Sequence, residues 1–388
     1  MTTISRKPKV LLNGSTMFDG GGMQVLVNFI LELQSQESQI DWYYLITERV
    51  EFFLNVYLIK LPINKKLVLR KSPSSISAWF TGFYEFKKWE KEIEFDLVYS
   101  ISSPSYFFFK SKEIQRITNP YIANPNEWGY KALPFKTMIL RNAKTKFQEL
   151  FLKKSDLLIT QTNLAKNNLI KKFSSISMKV EVVPNAISSL FISNDFGSLP
   201  KENYIFCIGA ANWHKNIHLL PEVALKLKNF KPELKFKFLT TLDKESVIFH
   251  ILVKNSLKLG VEDYFIHLGR ISQLECKEYY LRSKVTFLPT CLEVFSASII
   301  ESIHFKTPVL TTNLDFNREL IGNSKFLFQS GNWDQAAQML FKFLTDPNYG
   351  YEMLESVSKE LKVITSFTAL KKTEQLILEI IEGDNEKK

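Results

Sequence analysis

The chain has few cysteines and no long apolar run, and each shortage excludes a class of protein. Its cysteines, Cys207, Cys276 and Cys291, are odd in number and lack the spacing of a metal site or of a disulfide framework. No Asp-x-Asp metal motif occurs. No stretch approaches the roughly 18 apolar residues of a membrane-spanning helix, and the amino-terminal apolar run is too short for a signal peptide. We therefore expect a cytoplasmic protein that uses no metal or other cofactor.

The positive charge is confined to the first half of the chain. Residues 1–190 contain 26 Lys+Arg against 16 Asp+Glu and so carry the whole net charge of +10, whereas residues 191–388 are neutral. Neither a zinc spacing nor an aromatic RNA-binding signature accompanies this charge, which argues against a nucleic-acid partner. An anionic membrane or a lipid phosphate explains the asymmetry more simply, and predicts peripheral contact with the cytoplasmic face of a membrane.

Two segments interleave aromatic and basic residues, as helices at a lipid surface do. They are WFTGFYEFKKWEK at residues 79–91 and KALPFKTMILRNAKTK at residues 131–146. The alternative is an ordinary amphipathic helix with its aromatic side chains in the core. The two interpretations are equally good for the first segment, and we favour the ordinary helix for the second.

The length and the strand pattern predict two α/β domains. A chain of 388 residues exceeds what one hydrophobic core usually fills. Short β-branched and aromatic runs alternate with helical stretches, which predicts mainly parallel sheets joined by right-handed crossovers. A Gly/Pro/Asn/Ser-containing stretch after Asn185 predicts the interdomain linker. We expect Rossmann-like domains at residues 1–186 and 187–367, with a carboxyl-terminal helix at about 368–383 that crosses back to the first domain.

Two glutamates eight positions apart mark the candidate site. Residues 285–289, VTFLP, predict a buried parallel strand, and a mostly buried helix is predicted from Ser296 up to Thr307-Pro308. Glu293 would then follow the carboxyl end of a strand, where open α/β sheets bind ligands, and Glu301 would lie on the helix. The backbone N–H groups at the start of that helix can bind an anion. Carboxylates beside an anion site indicate a ligand with both hydroxyl groups and phosphate.

Two further loops follow predicted strands in the manner of phosphate-binding loops. Gly21 and Gly22 end a glycine-rich turn after the first strand and precede a helix. In the second domain, Gly209 to Asn216 (GAANWHKN) follow the strand YIFCIGA. Taken alone, the glycine-rich turn has a simpler interpretation as a plain tight turn. Lys215 in the second loop has a simpler interpretation as a solvated surface lysine.

Together these segments resemble the retaining glycosyltransferases of family 4, which have Glu, seven residues and Glu at this place and a Lys-Asn pair in the loop of the second domain. The resemblance covers about residues 180–328 well, and the first domain only in its glycine loop and strand order. It implies the GT-B fold, with two Rossmann-like domains that face each other across a cleft. It also implies transfer of a sugar from a nucleotide diphosphate sugar.

The resemblance also implies a role for each site residue. Glu293 would bind the donor sugar, Glu301 the nucleotide ribose, and the amides of Phe295, Ser296 and Ala297 the distal phosphate. Val294, next to them, would also belong to the donor-binding residues. Lys215, with Gly209 and Asn212, would bind the diphosphate, as would Gly21 and Gly22 from across the cleft. The loop at Arg270 and Ile271 would contact the nucleobase. Catalysis would involve Glu293, Lys215 and Asn119.

Three positions depart from the family pattern. Ala210 stands where an arginine is expected to neutralise the diphosphate, so Asn212, His214 or a lysine elsewhere in the chain would have to compensate for the missing charge. Lys306 replaces the usual glycine before Pro308. Asn119 stands near the place of a common histidine, and an amide can bind a sugar hydroxyl but cannot act as a base at neutral pH. That agrees with a reaction in which the leaving phosphate takes the acceptor proton.

The resulting expectation is a retaining hexosyltransferase that acts on a saccharide or lipid-linked acceptor in surface polysaccharide synthesis, such as O-antigen, capsule or lipopolysaccharide. Two alternatives stay open. A nucleotide-sugar 2-epimerase shares the GT-B shape but would release a free epimerised sugar. A catalytically silent scaffold would keep the fold without the chemistry, and Ala210 speaks for it.

Overall fold

The chain divides into two α/β units. The computed structural model describes residues 6–17, 21–74, 76–192, 199–357, 361 and 369–385. Unit 1 consists of Met1–Ala123, Leu140–Asn185 and Thr368–Lys388, and unit 2 of Asn124–Ile139 and Ala186–Phe367.

Unit 1 is built on a seven-stranded parallel sheet with the order β3-β2-β1-β4-β5-β6-β7. Its strands are β1 Lys9–Asn13, β2 Asp41–Thr47, β3 Lys66–Leu69, β4 Leu97–Ser100, β5 Lys112–Arg116, β6 Leu157–Thr160 and β7 Val180–Val182. The four residues of β4 are all buried, as a strand covered by helices on both faces requires.

Unit 2 is built on a six-stranded parallel sheet with the order β10-β9-β8-β11-β12-β13. Its strands are β8 Glu202–Cys207, β9 Lys237–Thr240, β10 Phe265–His267, β11 Ser283–Leu288, β12 Val309–Thr312 and β13 Leu327–Phe328. The strand order reverses between β8 and β11. At such a reversal the loops after the two strands diverge and leave room for a ligand.

Helices connect the parallel strands. Up to residue 172 they are α1 Gly21–Ser35, α2 Glu48–Val56, α3 Ile76–Ile93, α4 Pro120–Ala123, α5 Glu127–Lys131, α6 Phe135–Leu152 and α7 Asn163–Lys172. The later ones are α8 Ser189–Ile192, α9 Leu220–Phe230, α10 Val247–Leu259, α11 Gln273–Arg282, α12 Ala297–His304, α13 Asp315–Ile321, α14 Trp333–Thr345, α15 Pro347–Glu355 and α16 Ala369–Asn385. α11 shows how the sequence fixes a helix start, because Ser272 and Glu275 form a capping box.

Aromatic side chains pack on one another in both cores. In unit 2, Phe206 and Phe305 pack on Tyr280 with ring centroids 5.0 and 5.6 Å apart. In unit 1, Phe86 stacks on Phe107 at 5.3 Å. Such pairs add about 0.5–1.5 kcal/mol each beyond the area that they bury.

Helix α16 packs on unit 1 although it follows all of unit 2 in the chain. Leu370 and Ile377 are fully buried. The Glu374 carboxylate accepts hydrogen bonds from the Trp42 indole N–H, at 3.2 Å, and from the Ser38 hydroxyl. The carboxyl-terminal helix is thus part of the unit that contains β1 to β7.

The α/β architecture with two parallel sheets is confirmed, but two details differ from the sequence analysis. Residues 124–139 were placed in the first domain, whereas they pack with unit 2, because their side chains bind the loop after β11. The aromatic side chain of residues 131–146, Phe135, was expected in a core. On α6, however, Phe135 is more than half exposed, as are Ile139 and Leu140, so that interpretation is wrong. No helix in the described ranges is long and apolar enough to cross a membrane.

Candidate active site

The candidate site lies where the strand order of unit 2 reverses. Strand β8 ends at Cys207 and leads into the loop that contains Gly209 and Lys215. Strand β11 ends at Leu288 and leads into the loop that contains Glu293. Because parallel neighbours end at the same edge, these loops meet at the carboxyl edge of the sheet.

Lys215 and Glu293 form an ion pair at this edge. Both side chains are mostly buried, with 21% and 11% of their surface exposed. The Thr290 hydroxyl donates a second hydrogen bond to the same carboxylate oxygen, at 3.0 Å. The carboxylate and the ammonium group are therefore held together in a place shielded from bulk water, where electrostatic interactions are strong.

Lys215 and Glu293 line one small cavity. The other lining residues are Ile208, Ile217, Phe287, Leu288, Pro289, Thr290 and Ser296. Its wall is therefore mostly apolar, with one cation and one carboxylate, as in sites that bind a small polar ligand. Among the described residues that line it, Lys215 is the only cation.

The start of helix α12 borders the cavity through Ser296. Val294, Phe295 and Ser296 are buried, and Ala297 is the first helical residue. Ser296 is the N-cap but makes no side-chain capping bond, so the first amides of the helix are not capped by it. Helix N-termini of this kind attract anions through their N–H groups and the helix dipole.

Glu301 lies further along α12 and interacts with α11. Its carboxylate accepts a hydrogen bond from the Tyr280 hydroxyl at 2.8 Å. Burial raises the pKa of Glu301, while the hydrogen bonds from Tyr280 and Gln273 act in the opposite direction. Tyr280 thus holds one carboxylate oxygen in place, as a residue that positions a ligand-binding group does.

The loop after β8 makes a tight turn at the position of the missing arginine. The Asn212 backbone N–H donates a hydrogen bond to the Ala210 carbonyl oxygen at 2.7 Å. Asn212 itself is exposed, and Lys215 ends the following short 3₁₀ turn, Trp213–Lys215. A Cβ atom on Gly209 would lie 3.1 Å from the Ile217 Cδ1 atom, so a larger residue would crowd the loop.

Arg270 and Ile271 follow strand β10 on the far side of the same sheet. The Arg270 guanidinium donates two hydrogen bonds to one Asp243 oxygen, at 2.8 and 3.1 Å. Ile271 packs against the core of unit 2.

The remaining predicted residues belong to unit 1. Gly21 and Gly22 are the first residues of α1, and a Cβ on Gly22 would lie 3.1 Å from the Met17 sulfur. The Asn119 amide donates to Gln148 at 2.8 Å, while its oxygen accepts from the Tyr121 N–H at 3.0 Å. The structure therefore groups Lys215, Glu293 and Ser296 on one cavity, and Asn119 has a local role at the start of α4.

Two residues of the site were missed by the sequence analysis. Tyr280 is the hydrogen-bond donor to Glu301, and Thr290 is a donor to Glu293. Thr290 stands three residues before Glu293 and could have been found as a short-range partner. Tyr280 comes from another helix and gives no such signal.

Within the described ranges, no group of three or more His, Cys, Asp or Glu side chains could hold a metal ion.

The sequence matches one protein family and one characterised relative. The family model "Glycosyl transferases group 1" matches residues 189–386. The O-antigen chain mannosyltransferase RfbU of Salmonella typhimurium strain LT2 is 25% identical over 165 residues, which are 42% of this chain. The match spans 44% of the length of RfbU.

Solved structures match nearly the whole chain. A glycosyltransferase from Rickettsia africae ESF-5 has a TM-score of 0.66 at 15% identity, covering 97% of this chain and 98% of its own. HepE of Anabaena, in complex with UDP and glucose, has a TM-score of 0.67 at 13% identity, covering 96% of this chain and 100% of its own. At such identities the likeness concerns the fold.

Proposed function

The chain belongs to the group 1 glycosyl transferases and has their GT-B fold, and we propose that it transfers a hexose from a nucleotide diphosphate sugar with retention of the anomeric configuration. The observation that carries this proposal is the cavity at the strand-order reversal of unit 2. There a carboxylate, an ammonium group and a helix N-terminus come together. These are the groups that a sugar and its diphosphate require.

In this proposal each group of the cavity has one task. Glu293 accepts hydrogen bonds from sugar hydroxyls, and Lys215 with the amides of Phe295 to Ala297 stabilises the diphosphate. Charge develops on the phosphate oxygen as the glycosidic bond breaks, so cationic and N–H groups fixed there lower the barrier. Glu301, oriented by Tyr280, binds the ribose.

The acceptor proton goes to the leaving phosphate. Asn119 bears an amide, which does not titrate near neutral pH, and both ends of that amide already form hydrogen bonds within unit 1. A phosphate oxygen on the same sugar face as the incoming hydroxyl can accept its proton, which gives retention without a protein base. The proposed reaction uses no metal ion.

The acceptor that we propose is a saccharide or a lipid-linked saccharide in O-antigen, capsule or lipopolysaccharide synthesis. The support is the similarity to RfbU, an O-antigen chain mannosyltransferase, together with the charge of the first half of the chain. HepE was solved with UDP and glucose, which makes uridine nucleotides the first donors to examine.

We also propose that the enzyme works at the cytoplasmic face of a membrane and docks through α6. Leu140, Phe147 and Leu150 are 70%, 52% and 56% exposed, and their spacing places them on one face of the helix. Lys144 and Lys146 are exposed beside them. An exposed apolar stripe flanked by lysines suits the boundary between headgroups and acyl chains of an anionic bilayer.

Nucleotide sugars should be screened first for thermal stabilisation of the full-length protein. A ligand at 100 times its dissociation constant adds about 2.7 kcal/mol to stability, which is measurable as a rise in Tm. The donor so found is then incubated with candidate lipid-linked acceptors, and the anomeric configuration of the product is read by NMR. A product of inverted configuration would refute the retaining reaction.

The same experiment separates the two alternatives. A 2-epimerase would release a free epimerised sugar from the donor without any acceptor. A silent scaffold, favoured by Ala210 in place of the expected arginine, would form neither product although the protein stays folded in the thermal assay.

A further inference from the structure

Residues Asn124–Ile139, here called the inserted segment, contact the loop that bears Glu293. The Asn124 side-chain amide donates a hydrogen bond to the Glu293 carbonyl oxygen at 2.8 Å. The Asn126 side-chain amide donates one to the Cys291 carbonyl oxygen at 3.1 Å. Both contacts join residues more than 160 positions apart, so they depend on the tertiary fold.

The loop after β11 is held by different groups in its two parts. The carbonyl groups of Pro289 and Thr290 accept bonds from Asn216 and Thr312, at 3.0 and 2.6 Å, which belong to the main body of unit 2. The carbonyl groups of Cys291 and Glu293 are the ones bound by the inserted segment. The Cys291 N–H donates in turn to the His214 carbonyl oxygen at 2.8 Å. The part of the loop nearest the Glu293 carboxylate is therefore held by the inserted segment in addition to the main body of unit 2.

Close packing reinforces the two hydrogen bonds. Leu292 is fully buried, and a Cβ atom on Gly129 would lie 2.7 Å from its Cδ2 atom. The Cys291 sulfur lies 3.5 Å from the Trp128 carbonyl oxygen. The segment and the loop thus fit without space between them, as in a protein interior.

We propose that Asn124 and Asn126 are positioning residues, which act through the backbone of the loop to orient the Glu293 carboxylate toward the sugar. The proposal rests on the proposed function only in the role given to Glu293. A catalytic group has to be held within about 0.5 Å of its productive position, and buried hydrogen bonds to its backbone provide that restraint.

The chain offers substitutions that separate this role from plain folding. Asn126 has two tasks, because its side-chain oxygen caps α5 by accepting from the Gly129 N–H at 2.8 Å. Asn126→Asp keeps the capping oxygen and removes the donor to Cys291. Asn124→Asp likewise removes the donor to Glu293 at equal size. Asn203→Asp is the matched control, since it removes a hydrogen bond that the Asn203 side-chain amide donates to the Lys235 carbonyl oxygen at 2.9 Å.

Cys291 provides a direct probe of the loop. Its side chain is 1% exposed, and burial raises the pKa of its thiol to about 12, so alkylation requires the loop to open. The full-length protein is treated with iodoacetamide without substrate, and peptide mass spectrometry measures the rates at Cys291 and at Cys207. Cys207 is equally buried, in strand β8, and reports opening of the sheet.

We expect the Cys291 rate to rise about three- to tenfold in Asn124→Asp and in Asn126→Asp, with the Cys207 rate unchanged, because one hydrogen bond to the loop is lost in each. Asn203→Asp should change neither rate. An unchanged Cys291 rate, or an equal rise at Cys207, would overturn the proposal. Labelling needs no donor, so this result is independent of whether the chain transfers sugar.

The catalytic readout uses the donor found in the thermal screen. In both variants kcat should fall at least about tenfold, while the Kd of the nucleoside diphosphate stays within about twofold, because the phosphate-binding groups are not on the Glu293 backbone. A loss of diphosphate affinity equal to the loss of kcat would show a general disturbance of the site and would refute a positioning role.

Discussion

Lys215 pairs with Glu293 although the two residues are 78 positions apart and belong to loops that follow different strands. Each charge compensates the other in a mostly buried place. A donor diphosphate would compete with Glu293 for Lys215, and sugar hydroxyls would replace Lys215 as partners of the carboxylate. Binding of the donor would thus replace the ion pair by a diphosphate on Lys215 and by hydroxyl hydrogen bonds on Glu293, so that neither group is left buried without a partner.

We predict that Glu293→Gln lowers kcat of transfer at least about 100-fold, because the neutral amide cannot stabilise the sugar as charge develops. Nucleoside diphosphate binding should be unchanged or tighter, since Lys215 loses its competing partner. Kinetics and calorimetry check both parts. Glu278→Gln is the control, because it removes a carboxylate that pairs with Arg282 on the surface of α11. Unaltered turnover in Glu293→Gln would remove this residue from the site.

We predict that Lys215→Ala weakens binding of a nucleoside diphosphate by about 10- to 100-fold and of the nucleoside much less, because its proposed partner is phosphate. Calorimetric titration with both ligands measures the difference. Lys226→Ala serves for comparison, since Lys226 pairs with Asp334 at the surface of the same unit. Equal losses for nucleoside and diphosphate would show that Lys215 does not bind the phosphates.

Much of unit 2 could be predicted because its motifs are local. The strand, loop, helix and strand around Glu293 follow from periodicity and proline positions over one short stretch. The contacts of Asn124 and Asn126 could not be predicted, because they join residues far apart in the chain and no pattern marks them. The exposure of Phe135 was also missed, since an apolar helical stripe has the same spacing whether it faces a core or solvent.

Glu113 predicts a pH dependence of stability. It is buried on β5, and burial raises its pKa from 4.5 to about 8, against hydrogen bonds from Ser100 and Gln115. The folded state therefore keeps a proton that the unfolded state loses above about pH 4.5. This contribution is complete below pH 4.5 and is lost as the pH rises to about 8, by up to about 1.4 kcal/mol per pH unit.

The test compares wild type with Glu113→Gln, which keeps the size of the side chain and does not titrate. Urea unfolding from pH 5 to pH 9 gives the free energy of unfolding of each. The free energy of unfolding of the wild type minus that of Glu113→Gln should decline up to about pH 8 and then stay level. Parallel curves over the whole range would show that Glu113 is already ionised at pH 5.

Membrane docking through α6 predicts that Leu150→Asp reduces binding to anionic vesicles about tenfold or more, because burying a leucine in the interface contributes about 1.5–3 kcal/mol. Co-sedimentation of the full-length protein with neutral and anionic vesicles measures it. Leu257→Asp is the matched control, because Leu257 is 59% exposed on α10 of unit 2, compared with 56% for Leu150. An equal loss in both variants, or binding indifferent to lipid charge and to salt, would contradict docking by α6.

Lys306, one of the departures from the family pattern, stands where the family has a glycine. It follows α12 with a φ of 53°, a conformation that costs about 1 kcal/mol for a residue other than glycine. We therefore expect Lys306→Gly to raise the free energy of unfolding by about 1 kcal/mol. Lys306→Ala removes the same side chain but keeps the strained backbone, so it should have little effect. Equal stabilisation by both variants would assign the cost to the lysine side chain.

The position of α16 determines the order in which the chain can fold during synthesis. Unit 1 needs this helix to cover Leu370 and Ile377 and to bind Trp42 through Glu374, yet the ribosome completes every strand of unit 2 first. Domains generally fold as units while they are being made. The unit that begins earlier is therefore finished later, and its incomplete form is exposed to chaperones and proteases for the time that unit 2 takes to be translated.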